Sequence, residues 1–165
     1  MKLKCVVSRV VLLCAAAGLL ISVPSAEAAD KKKVERLAKE CEAGREKSCR
    51  KLRDIATKDK KRQARKAAVE RLSDQILLAQ IAKEDSEWVV RSAAVSKLED
   101  PALLADIAQN DETQAVRRTA LRNEAFPDDA LEVILRTSTD WNLRRDVVRE
   151  VSDEVFLVEI ATTDS

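Results

Sequence analysis

The sequence predicts an all-α chain built as a solenoid of stacked αα-hairpins, and three observations carry that prediction. The first is a phrase that recurs: Asp54-Ile55-Ala56-Thr57-Lys58-Asp59, Gln80-Ile81-Ala82-Lys83-Glu84-Asp85, Asp106-Ile107-Ala108-Gln109-Asn110-Asp111 and Glu159-Ile160-Ala161-Thr162-Thr163-Asp164, with a weaker copy at Val133-Ile134-Leu135. Its isoleucines Ile55, Ile81, Ile107, Ile134 and Ile160 lie 26, 26, 27 and 26 residues apart. A fixed period in this range marks units that bury their apolar faces only against their neighbours. The second is another phrase in each unit, with apolar residues at i, i+3, i+4 and about i+8, the spacing of an amphipathic helix. The third is the scarcity of breakers and strands: 2 Gly and 3 Pro in 165 residues, and no useful length over which strand formers alternate with polar residues.

The elements follow in chain order. Lys2, Lys4 and Arg9 precede an apolar stretch from Val10 to Val23, then Pro24, Ser25 and the small-x-small triplet Ala26-Glu27-Ala28. This reads as a secretory signal cleaved near Ala28, because the apolar stretch is shorter than the roughly 20 residues that span a bilayer. The alternative is a retained N-terminal anchor. Leu13 before Cys14 argues against a lipoprotein signal. The expected location is therefore outside the cytoplasm, in a bacterial periplasm or medium. About 136 residues remain, one domain from 30 to 165.

From Val34 to Thr57 two helices are expected to meet at Gly44. Cys41 and Cys49 are eight positions apart, about 12 Å along one continuous helix and too far to bond. Folded back at Gly44 they face each other across a hairpin. In an exported chain a disulfide is the favoured reading; a free redox pair and a metal pair are the alternatives, and two thiols in a chain without His make a poor metal site.

Each later unit opens with an A helix: Ala64-Arg65-Lys66-Ala67-Ala68-Val69, Val90-Arg91-Ser92-Ala93-Ala94-Val95, Val116-Arg117-Arg118-Thr119-Ala120-Leu121 and Leu143-Arg144-Arg145-Asp146-Val147-Val148. Small residues such as Ala93 and Ala94 allow close helix approach. A turn and a B helix follow. In Glu99-Asp100-Pro101 the aspartate is placed to cap backbone N–H groups, and Pro101 to sit at the first helical position, where its missing N–H costs nothing; Phe126-Pro127-Asp128 is expected to do the same. Leu77, Leu78, Ile81 and Ala82, then Leu103, Leu104, Ile107 and Ala108, then Phe156, Leu157, Ile160 and Ala161 form the buried stripes. The extra residue of the period falls near Asn123-Glu124, predicting a local kink or a longer turn rather than a domain break. Trp88 and Trp141 occupy one repeat position and are expected to pack at the start of an A helix; partly exposed anchors are the alternative.

The recurring Val-Arg-x-Ala-Ala-Val and Leu-x-x-Ile-Ala-x-x-Asp resemble short HEAT repeats of the phycobilisome-lyase type, in four units from Lys60 to Ser165. The resemblance implies a right-handed α-solenoid and an Arg–Asp ladder between neighbouring units, here Asp59, Arg65, Asp85, Arg91, Asp111, Arg117 and Arg144, with Asp164 at the end. Ser138 stands where the fourth turn should carry Asp. The segment from Cys41 to Leu52 is similar to one unit of the cysteine-rich Sel1-like repeats, in which a disulfide staples each hairpin.

A protein-binding or scaffolding role, without catalysis, is what these features imply. No His is present, the only cysteines past the leader are Cys41 and Cys49, and the carboxylates fall on the repeat period, so neither cofactor nor metal is expected. In HEAT-like arrays the B helices are expected to line the concave side, which here offers Arg53, Gln80, Asp106, Glu132 and Glu159 to a protein partner. From Lys31 to Arg71 the chain carries 17 basic and 7 acidic residues; from Leu72 to Ser165 it carries 10 and 20. The basic run with Lys60, Lys61, Arg62 and Lys66 is a candidate patch for an anionic envelope component, or an ordinary solvated face. Nucleic acid is not an expected partner, since no aromatic residues interleave with the basic ones. A monomer or a dimer through the C-terminal end is expected, and a self-assembling envelope protein or a HEAT-type lyase are the alternatives.

Overall fold

A computed structural model describes residues 26–150. Among the described residues the chain is all-α: α1 (Ala26–Glu42), α2 (Glu46–Lys58), α3 (Arg62–Val69), α4 (Gln75–Glu84), α5 (Trp88–Val95), α6 (Pro101–Asn110), α7 (Gln114–Leu121), α8 (Asp128–Thr137) and α9 (Trp141–Glu150). The odd-numbered helices from α3 onward are the A helices of the sequence pattern, with α1 in the same layer, and the even-numbered are the B helices. The leader from Met1 to Ser25 and the last B-helix stripe, with Phe156, Leu157, Glu159, Ile160 and Asp164, lie outside the described residues. The triplet Ala26-Glu27-Ala28 forms the first turn of α1, which starts eight residues before the expected Val34.

Local chemistry sets the boundaries. Gly44 adopts φ +82 between α1 and α2, a left-handed conformation that a Cβ would strain. Asp74 caps α4 by accepting from Leu77 N–H, and Asp100 caps α6 by accepting from Ala102 and Leu103 N–H, with Pro101 beginning the helix. The third cap differs from expectation. Pro127 itself is the N-cap of α8 and makes no side-chain bond to the helix. The extra residue lengthens that turn from the five residues of 96–100 to the six of 122–127. Asn123 organises it, donating to the Val95 and Leu98 carbonyls at 2.8 and 3.0 Å and accepting from Ala125 N–H at 2.8 Å.

The core is one continuous apolar seam. Leu52, Leu78, Leu104 and Ile134 from the B helices, and Val69, Val90, Val116 and Val147 from the A helices, are fully buried. Each B helix packs on the A helix that follows it, and consecutive members of the A layer pack on one another. Ala68, Ala94 and Ala120 share one repeat position, and all are 0% exposed. Their small side chains let α3, α5 and α7 come close. Val147 fills that position in α9, and α7 and α9 meet less closely. No two B helices approach as closely as the members of the A layer do.

Candidate functional site

The disulfide predicted for the hairpin is present: Cys41 and Cys49 are bonded, with their Cα atoms 4.7 Å apart. Ser48, buried beside it, donates to Glu40 at 2.6 Å. That hydrogen bond, more than the nearby Arg45, Arg36 and Lys51 charges, holds the Glu40 carboxyl below its ordinary range against the opposing effect of burial.

The aspartates that end the Ile-Ala phrase are helix C-caps, and each folds its side chain onward. Asp59, Asp85 and Asp111 accept the N–H two residues later, from Lys61, Glu87 and Thr113 at 2.9, 2.9 and 2.7 Å. Arg65 grips Asp85 with two bonds of 2.8 and 2.9 Å and the Asp59 carbonyl with a third of 2.8 Å. Arg91 repeats this one unit later, holding Asp111 at 3.0 and 3.1 Å and the Asp85 carbonyl at 2.9 Å. Each arginine thus ties the aspartate backbone behind it to the carboxylate ahead. Both guanidiniums are buried, at 9% and 5% exposure, where a bidentate geometry is needed to compensate lost hydration. Burial pushes Asp85 up, but the Arg65 bonds, the Glu87 N–H and the Arg91 charge outweigh it and hold its carboxyl below the ordinary value.

The pattern fails at Ser138. The Ser138 hydroxyl accepts from Asp140 N–H at 3.2 Å and so reproduces the turn. It supplies no carboxylate. Arg117 keeps its bond to the Asp111 carbonyl at 2.8 Å, but its nearest carboxylate is Asp140, 3.8 Å away, and its Nε is buried without a hydrogen-bond partner. The Arg144 backbone N–H donates to the Asp140 carbonyl; its expected partner Asp164 lies outside the described residues.

A second seam, between successive A helices, was missed by sequence reasoning. Ser92 and Thr119 share a hydroxyl–hydroxyl bond of 2.8 Å. One unit on, Arg118 and Gln114 donate to the buried Asp146 at 2.7 and 2.9 Å, and Arg122 pairs with Glu150 at 2.8 Å. The Arg118 bond, then that of Gln114, pulls the Asp146 carboxyl below its ordinary value despite its burial. The signal was in the register: Ser92 and Arg118 hold one repeat position, Thr119 and Asp146 another, so both seams change partners together.

Gln80 and Asp106 line an open groove between α4 and α6, with Ala79, Ala102 and Leu103 along it and a Lys83–Asp106 ion pair of 3.4 Å across it. Arg53 pairs with Asp74 at 3.3 Å, and Glu132 pairs with Arg136 along α8. The basic run is dispersed into internal pairs: Lys61 with Asp30, Arg62 with Glu87, and Lys66 with Glu70. The expectation that both tryptophans pack is corrected. Trp88 and Trp141 begin α5 and α9, and they are 46% and 64% exposed. Arg145 covers one face of Trp141, 4.6 Å from the ring centre.

Among the described residues no group of three His, Cys, Asp or Glu side chains is placed to hold a metal ion, and no helix is long and apolar enough to cross a membrane. No protein-family model, curated protein or solved structure matches the chain.

Proposed function

We propose that this chain is an exported scaffold of the HEAT-repeat type, a right-handed solenoid that acts by holding a protein segment rather than by catalysis. The observation that carries this reading is the groove between α4 and α6. Its walls are small or apolar at Ala79, Ala102 and Leu103, and polar groups at Gln80, Glu84, Asp100 and Asp106 stand around them. A cleft of that kind accepts an extended or helical segment without a specific chemical centre. The family assignment rests on the repeat phrases and on the Arg65–Asp85 and Arg91–Asp111 pairs that join neighbouring units. The test is a photo-crosslinking residue at position 102, in the groove, compared with one at 63 on the exposed side of α3. A discrete adduct from native envelope at 102 and none at 63 is expected; equal labelling at both, or none at 102, rules the groove out.

One observation favours a second reading, self-association through α9. Trp141 and Val148 lie seven residues apart on one helix and are both exposed, at 64% and 43%, an unusual apolar stripe for a monomer. Light scattering of wild type against a Trp141→Glu, Val148→Glu variant decides it: a monomer in both cases removes this reading.

A further inference from the structure

We propose that the outer face of α1 is a docking surface for the phosphate headgroups of an anionic membrane. Lys32, Arg36 and Lys39 stand at i, i+4 and i+7 on this helix and line a groove with Arg45 at its end; Glu35 and Glu40 also line it, the latter paired with Arg45. Lys31, Lys32, Lys33, Arg36 and Lys39 are all exposed, and none of the five forms an ion pair with a described residue. Lys47, Lys51 and Lys60 farther along the chain also make no ion pair with a described residue, whereas Lys61, Arg62, Arg65, Lys66, Arg71, Lys83 and Arg91 are each paired.

The cause lies in the packing of α1. Three of its carboxylates are turned toward other elements: Asp30 to Lys61 at 2.7 Å, Glu35 to Arg71 at 3.9 Å, and Glu40 to Ser48 at 2.6 Å with Arg45 at 3.6 Å. Folding thus engages three of the five carboxylates of α1 with other elements, while its cations Lys31, Lys32, Lys33, Arg36 and Lys39 keep no ion pair with a described residue. The candidate run at 60–66 has the opposite fate, since four of its five cations meet carboxylates of the same chain.

The chemistry of the face favours a lipid surface over a protein. A protein partner is anchored by buried aromatic or apolar groups, and the exposed large apolar residues, Ile76, Trp88, Val133, Trp141 and Val148, are all on other helices. Long-stemmed cations on a helix face are attracted to anionic headgroups without such anchors. This proposal does not rest on the groove between α4 and α6.

The test is co-sedimentation of the full chain with vesicles of phosphatidylcholine alone or mixed in equal parts with phosphatidylglycerol. Wild type is compared with Lys32→Gln, Arg36→Gln, Lys39→Gln and with a control, Lys60→Gln, Lys61→Gln, Arg62→Gln. The leader is common to all three proteins, so its own affinity cancels. Removing three cations from a lipid-facing surface is expected to lower partitioning to the anionic vesicles about 100-fold. The control should stay near wild type, and raised salt should abolish the difference. Equal binding of wild type and the α1 variant, with circular dichroism showing both folded, overturns the proposal. So does equal competition by inorganic phosphate at low concentration, which would indicate a soluble anion as the ligand.

Discussion

At the scale of single residues, the ladder shows how one side chain decides the strength of a joint. Arg91 and Arg117 occupy the same repeat position and make the same bond to the carbonyl behind them. They differ in what lies ahead: the Asp111 carboxylate for one, and Ser138 with a more distant Asp140 for the other. Arg91→Leu leaves Asp111 buried with its main counter-charge gone and is expected to lower unfolding free energy by about 3 kcal/mol, read from urea midpoints. Ser138→Asp gives Arg117 Nε an acceptor and is expected to stabilise by about 1 kcal/mol; no gain would show that Asp140 already satisfies the guanidinium. Asp146 supplies a pH dependence. Its folded pKa lies below the unfolded value of about 3.9. Its contribution is therefore complete above that value and is lost as pH falls through the lower folded one. Acid titration of stability should be shallower in Asp146→Asn than in wild type below about pH 4; parallel curves would remove Asp146 from the account.

At the scale of elements, the α1–α2 hairpin packs on α3 among the described residues. The disulfide closes it across Gly44, and Val34, Leu37, Ala38, Leu52 and Ala56 are the buried residues it shares with the core. Reduction is expected to lower stability by about 2–3 kcal/mol through the freed loop in the unfolded chain. The circular dichroism of the folded protein should change little, since packing against α3 remains. A large loss of helix on reduction would mean that the hairpin depends on the bond rather than on its core. The capped and uncapped turns make a similar contrast: Asp74 and Asp100 hold the starts of α4 and α6, whereas α8 starts on Pro127 with only the Asp128 and Asp129 charges near its N-terminal dipole.

At the scale of the whole molecule, these local differences accumulate at the C-terminal side. Between α7 and the α8–α9 pair the turn is longer, the α8 cap makes no side-chain bond, the Arg117 joint is incomplete, and Val147 replaces the alanine that allows close approach. Where neighbouring helices stabilise one another, local opening begins at the weakest joint. Hydrogen exchange of the native protein should release α8 and α9 before α4, α5 and α6, and Ser138→Asp should narrow the gap. Uniform protection from α4 to α9 would mean that the Arg118–Asp146 and Arg122–Glu150 pairs fully replace the missing rung.

The sequence by itself determined the period, the helices and the buried stripe, because those depend on residue spacing along one chain segment. Ile81, Ile107 and Ile134 are buried where their phrase places them, and Cys41 and Cys49 meet because Gly44 permits the turn. It also marked Ser138 and the extra residue near Asn123 as places where repetition fails. What only the tertiary structure decided is which charges meet. Lys61 with Asp30 and Arg62 with Glu87 are 31 and 25 residues apart, and no helix-local spacing rule connects them. Net charge along the sequence pointed to the run at 60–66 as the basic surface. The fold neutralises most of that run and leaves Lys31, Lys32, Lys33, Arg36 and Lys39 of α1 exposed without an ion pair to a described residue.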